Sequence, residues 1–147
     1  MNLQECFLKL TQIEEEGAEL YKKASLKCSE KLRPAILSFY QEEKEHKNTM
    51  MELHKEGRFK LQKLDEDIER IFNYQVDYMN KRKNFDFNDE KEFFQFALQI
   101  EKNSIDIYTK LLESFEADCY EYKIFETLIK EEKKHMIFIL NKLYEIN

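Results

Sequence analysis

Glu42-Glu43-Lys44-Glu45-His46 and Glu131-Glu132-Lys133-Lys134-His135 are two copies of one pattern, and they hold two of the three histidines in the chain. Each copy contains Glu-x-x-His. On a helix, residues three apart share a face about one turn from each other, so each copy aims a carboxylate and an imidazole at one point. Two such points, each met by a glutamate from a further helix, form the di-metal site of a four-helix bundle. The reading of the fold therefore turns on whether two more inward-facing glutamates exist.

The first copy lies on a helix bounded by Pro34, tolerated only in a first turn, and by Gly57, a C-terminal cap. Its inner face reads Phe39, Glu43, His46, Met50 and Leu53. Glu42 is also within reach of His46, but stepping from Glu42 passes through Ala35, Ser38 and Thr49, a more polar stripe, so Glu43 is preferred. Before it, across a break at Ser29 to Pro34, a helix over residues 3–28 presents Phe7, Leu10, Glu14, Gly17, Tyr21, Ala24 and Cys28 at alternating steps of three and four. Glu14 sits in the middle of that face.

The second copy is built the same way. Asn88 or Asp89 caps a third helix, with Glu92 three after Asp89 as in a capping box. Its inner face reads Phe94, Ala97, Glu101, Ser104, Tyr108, Leu111 and Phe115, each 87 residues after its counterpart on the first helix. A break at Glu116 to Asp118 precedes a fourth helix with Phe125, Leu128, Glu132, His135 and Ile139 inward, 89 residues after the second. The chain is thus a repeated helical hairpin. In an antiparallel pair, residues at one depth are equidistant from the turn. The midpoint of Glu14 and Glu43 is 28.5 and that of Glu101 and Glu132 is 116.5, both within the breaks.

Residues 58–87 are too many for a tight turn and enough to run the length of a helix and start again at its far end, and Leu64 to Met79 can carry a helix of their own. The expected architecture is all-α: one domain over 1–147, a four-helix bundle of hairpins 3–57 and 88–146 joined by one long crossover. Only two Gly and one Pro agree with long helices. A net charge of -6 and no clustered basic face exclude a nucleic-acid partner. No basic start followed by an apolar run, and no stretch of about 18 apolar residues, point to a cytoplasmic protein with no membrane partner. Cys6, Cys28 and Cys119 are widely spaced with no Cys-x-x-Cys, so they read as buried or idle thiols.

Carboxylates are hard anionic ligands able to bridge two cations, and imidazole adds a neutral ligand of intermediate softness suited to iron. Four glutamates and two histidines nearly neutralise two ferrous ions; without metal, the same carboxylates in one core repel and lose hydration. One Glu-x-x-His in so glutamate-rich a chain carries little weight, and one inward Glu is more often a misjudged face. Two copies at matched depth, each joined to Glu-x6-Tyr (Glu14 to Tyr21, Glu101 to Tyr108), are much harder to obtain idly. Tyr21 and Tyr108 read either as core aromatics or as functional hydroxyls leaning back toward the ligand layer. His54 has no matching glutamate and reads as a surface residue.

The paired Glu-x6-Tyr and Glu-x-x-His motifs resemble those of the erythrin, or rubrerythrin-like, branch of the ferritin-like superfamily, over nearly the whole chain. The resemblance implies a ferritin-like bundle with two iron ions held by Glu14, Glu43, His46, Glu101, Glu132 and His135, other divalent metals being able to substitute in vitro. Glu43 and Glu132 are the bridging candidates, and Tyr21 and Tyr108 match tyrosines beside the family's metal pair. It also implies reduction of hydrogen peroxide or O2 at the di-iron centre, and a homodimer. The chain lacks a four-cysteine rubredoxin domain, so electrons are expected from a separate donor such as a rubredoxin-type protein. Full-length rubrerythrins carry an extra glutamate where this chain has Ser104, which leaves one anionic ligand fewer. The readings are a di-iron oxidoreductase, a non-catalytic iron-binding or iron-handling protein, and a helical interaction module with a decayed motif.

Overall fold

The computed structural model describes residues 1–59, 62–82 and 87–146, and these form α1 (Leu3–Lys27), α2 (Arg33–Glu56), α3 (Glu66–Arg82), α4 (Glu90–Leu112) and α5 (Tyr120–Ile146). Among the described residues the chain is all-helical, save an isolated bridge between Asn2 and Lys63. No helix there is long and apolar enough to cross a membrane. Residues 60, 61 and 83–86 of the expected crossover lie outside the described residues; α3 occupies most of the rest.

Each helix starts and stops for a local reason. Asn2 Oδ1 accepts from the Glu5 amide (2.7 Å) while Glu5 Oε2 accepts from the Asn2 amide (3.0 Å), a reciprocal pair that satisfies two donors at the start of α1. At its other end the Arg33 guanidinium donates to the carbonyls of Ser25 (2.9 Å) and Cys28 (3.2 Å) in the last turn and C-cap of the helix. Gly57 closes α2 in the left-handed conformation, φ 65°, which glycine adopts without strain. Asp89 caps α4 by accepting from the Glu92 amide (2.8 Å). In return Glu92 Oε2 accepts from the Asn88 amide (2.8 Å), one residue earlier than a capping box places it.

The chain divides into two compact units, Met1–Glu69 with Val76–Phe85, and Arg70–Gln75 with Asp86–Asn147. In the first, α1 packs along α2; in the second, α4 packs along α5. The buried residues of each hairpin include the inner faces read from the sequence, from Phe7 to Ala24 on α1, Phe39 to Leu53 on α2, Phe94 to Leu111 on α4 and Phe125 to Ile139 on α5. In the first unit the segment before α3 also ties down the start of α1, with Leu3 N donating to Gln62 O (2.7 Å) and Leu64 N to Met1 O (2.9 Å).

Three expectations are corrected. Cys28 is the C-cap of α1, half-buried and past the last helical turn, so it does not belong to the inner face. Phe115 lies beyond the end of α4, yet it is buried, stacked on Phe125 with centroids 5.5 Å apart and planes 11° apart. His54 is half-buried, with Nδ1 3.0 Å from the Gln4 carbonyl, so it pins α2 to the start of α1 instead of facing water.

Candidate metal centres in the two hairpins

In the first hairpin, Glu14 comes from the middle of α1 and Glu43 and His46 from one face of α2. All three are buried, at 1%, 4% and 2% exposure. Glu42, the neighbour of Glu43 on α2, is half-buried. His46 Nδ1 lies 3.5 Å from Glu14 Oε2 and 3.8 Å from Glu43 Oε2, and each of the three residues offers a ligand atom within 4.8 Å of the others.

In the second hairpin, Glu101 of α4 meets Glu132 and His135 of α5, all 1% exposed. His135 Nδ1 lies 3.2 Å from Glu101 Oε1, and ligand atoms of the three again fall within 4.8 Å of one another. All six residues singled out from the sequence are therefore buried, gathered as two Glu/Glu/His triads, one per hairpin.

Burial and charge together set the electrostatics of the first triad. The Glu14 carboxyl is pushed well above the usual carboxylate range, first by burial, then by the charge of Glu43 and a hydrogen bond to it, with His46 pulling the other way. Two carboxylates and one imidazole at this depth need a cation or protons. The donor set, hard oxygen with one nitrogen of intermediate softness, fits a divalent ion of the iron, manganese or zinc type. These buried Glu/His groups could hold a metal ion.

Tyr21 and Tyr108 are buried at 1% and 0% exposure. Each packs on an aromatic ring of the paired helix: Tyr21 edge-on to Phe39 at 5.5 Å, Tyr108 tilted on Phe125 at 5.6 Å. The partners are not repeat mates, since Phe39 corresponds to Leu128 and Phe125 to Ile36. Gly17, three residues after Glu14, touches the first triad directly: a Cβ added there would stand 3.4 Å from Glu43 Oε2. A cleft of about 460 Å³ lined by Thr11, Gln12, Glu15, Glu16, Lys47 and Asn80 is spanned by the Lys47–Glu15 ion pair (2.6 Å). Such a partly exposed pair contributes little to stability.

Sequence reasoning missed several buried polar residues, Glu121 and Gln75 among them. Glu121, in the first turn of α5, is 1% exposed, and Gln75 of α3 is 0% exposed. Neither belongs to a repeated motif, so periodicity gave no reason to single them out. The thiol of Cys6 is also buried, and burial holds its pKa far above the ordinary range, as expected of an idle cysteine. Compared with family models, curated proteins and solved structures, the chain matches none of them.

Proposed function

We propose that Glu14, Glu43, His46, Glu101, Glu132 and His135 are the ligands of two iron ions in a ferritin-like, rubrerythrin-like four-helix fold, and that the protein is a cytoplasmic oxidoreductase reducing hydrogen peroxide or O2 with electrons from a separate donor, such as a rubredoxin-type protein. The observation that carries the reading is the burial of the same Glu/Glu/His triad at equivalent positions of both repeated hairpins. Glu14 and Glu101 supply one carboxylate from the first helix of each hairpin, and Glu43 with His46, and Glu132 with His135, supply the pair from the second.

A bound ferrous pair supplies two electrons, enough to reduce one hydrogen peroxide to two waters when two protons are added. The chain supplies the rest. Glu43 and Glu132, each with two carboxylate oxygens, would hold the ions together with Glu14, His46, Glu101 and His135. The raised proton affinity of Glu14 makes it a place where a proton rests when metal is lost. Apolar neighbours on the same faces, Leu10, Met50 and Ile139 among them, exclude bulk water and so strengthen each electrostatic contact. Tyr21 and Tyr108 keep their hydroxyls within the bundle, where they can orient an oxygen substrate.

Anaerobic loading with ferrous iron followed by hydrogen peroxide tests the proposal. Two irons per chain and a near-ultraviolet oxo-to-iron absorption after oxidation are the expected outcome. One iron or fewer per chain would sink the reading. The second reading, a non-catalytic iron-handling protein, is favoured by one residue: Ser104 is buried in α4 and offers no carboxylate three residues after Glu101. Multiple turnovers of peroxide with a chemical reductant present distinguish an enzyme from a protein that is oxidised once. A homodimer is part of the proposal, and sedimentation in solution tests it separately.

A further inference from the structure

Gly17 lies inside α1, buried, where neither a turn nor a positive φ calls for glycine. A helix interior disfavours glycine relative to alanine, because its backbone gives up more freedom on folding. The local sequence therefore accepts a weaker helix at this position, and its surroundings give the reason. A Cβ built on Gly17 would stand 3.4 Å from Oε2 and 3.8 Å from Cδ of Glu43, and outside α1 itself nothing else among the described residues would come within 4 Å. The missing side chain thus faces one group, a carboxylate of the first triad. A methyl there would sit in ordinary van der Waals contact with that carboxylate and would take the space beside it.

We infer that Gly17 is a positioning residue, whose lack of a side chain gives the Glu43 carboxylate room to turn between its metal-free and metal-bound orientations. The terminal torsion of a glutamate is broad, so the carboxylate turns easily unless a neighbour stops it. The repeat mate of Gly17 on α4 is Ser104, which is buried and does carry a Cβ. The repeat is therefore unequal at this position, and Glu43 is the bridging candidate that the missing side chain leaves adjustable. The adjustable role rests on the proposed metal centre, whereas the steric claim does not.

Two measurements test it. The first is a metal-free double-mutant cycle between Gly17→Ala and Glu43→Ala. With Glu43 truncated, Gly17→Ala should raise Tm by about 3 °C through helix propensity alone. With Glu43 in place the gain should be smaller, because the methyl restricts the turning of the carboxylate. Equal shifts in the two backgrounds overturn the inference, whatever the metal does. The second is titration with Co2+ alone, followed by its visible absorption, for the parent, Gly17→Ala, Gly17→Ser and Ser104→Ala. Gly17→Ala should bind one of the two ions about tenfold more weakly and with an altered spectrum, Gly17→Ser more weakly still, and Ser104→Ala should match the parent. A Gly17→Ala protein with parental affinity and spectrum overturns the positioning role. A parent that takes up no Co2+ overturns the metal centre instead, and the cycle still decides whether Glu43 needs the space.

Discussion

At the scale of single residues, Glu14 sets the tension in the first triad. The folded protein holds its proton more tightly than the unfolded chain, whose glutamates titrate near about 4.3. Stability is therefore lost as pH rises from that value through the raised one, because the folded state must then either charge the buried carboxyl or keep a proton the solution no longer favours. Replacing Glu14 by Gln removes the ionisable group while keeping its shape. In the metal-free protein, Glu14→Gln should melt a few degrees above the parent at about pH 7.5, and the gap should close toward about pH 5. Calorimetry at the two pH values checks this, and a gap that ignores pH contradicts it. The same substitution should weaken metal binding, since an amide oxygen is a poorer ligand than a carboxylate.

At the scale of elements, the turn between α1 and α2 is held by a side chain that no motif announces. Arg33 is half-buried and donates to two carbonyls at the end of α1, from the first residue of α2. Arg33→Ala should cost about 1–2 kcal/mol, the value of charge-assisted bonds to backbone that water would only partly replace. A lower denaturant midpoint with an unchanged m-value is the expected record; an unchanged midpoint would show that the turn holds without it. Apolar residues three and four apart, repeated at offsets of 87 and 89, made the inner faces and their glutamates readable. Where each helix stops was less readable, because periodicity marks a face and says nothing of where hydrogen bonding ends. Hence Cys28 and Phe115 were each carried one step too far. A second buried line was also missed: Cys6, Ile13 and Leu20 on α1, and Phe93, Ile100 and Ile107 on α4, 87 residues apart pair by pair. Once the charged line had been chosen as the inner one, these read as ordinary apolar spacing.

At the scale of the whole molecule, the four glutamates and two histidines of the triads could hold metal, and a metal held there would be a partner in folding. A ligand that binds only the folded chain stabilises it by about 2.7 kcal/mol when present at 100 times its Kd. Stripping the metal with a chelator at neutral pH should therefore lower Tm by several degrees, and readdition of ferrous iron under anaerobic conditions should restore it. Equal melting temperatures with and without metal would mean that the triads are tolerated without a cation.

The two aromatic pairs have an optical consequence. The chain contains no tryptophan and eight tyrosines. Of the described tyrosines, only Tyr21 and Tyr108 are buried, one in each hairpin, each fixed against a phenylalanine ring. Near-ultraviolet circular dichroism arises from aromatic rings held in asymmetric surroundings, so its tyrosine band should come largely from these two. Tyr21→Phe leaves Tyr108 to report on the second hairpin, and Tyr108→Phe leaves Tyr21 to report on the first. The molecule thus carries a built-in chromophore for each half of its repeat, and the two halves can be watched separately without attaching any label.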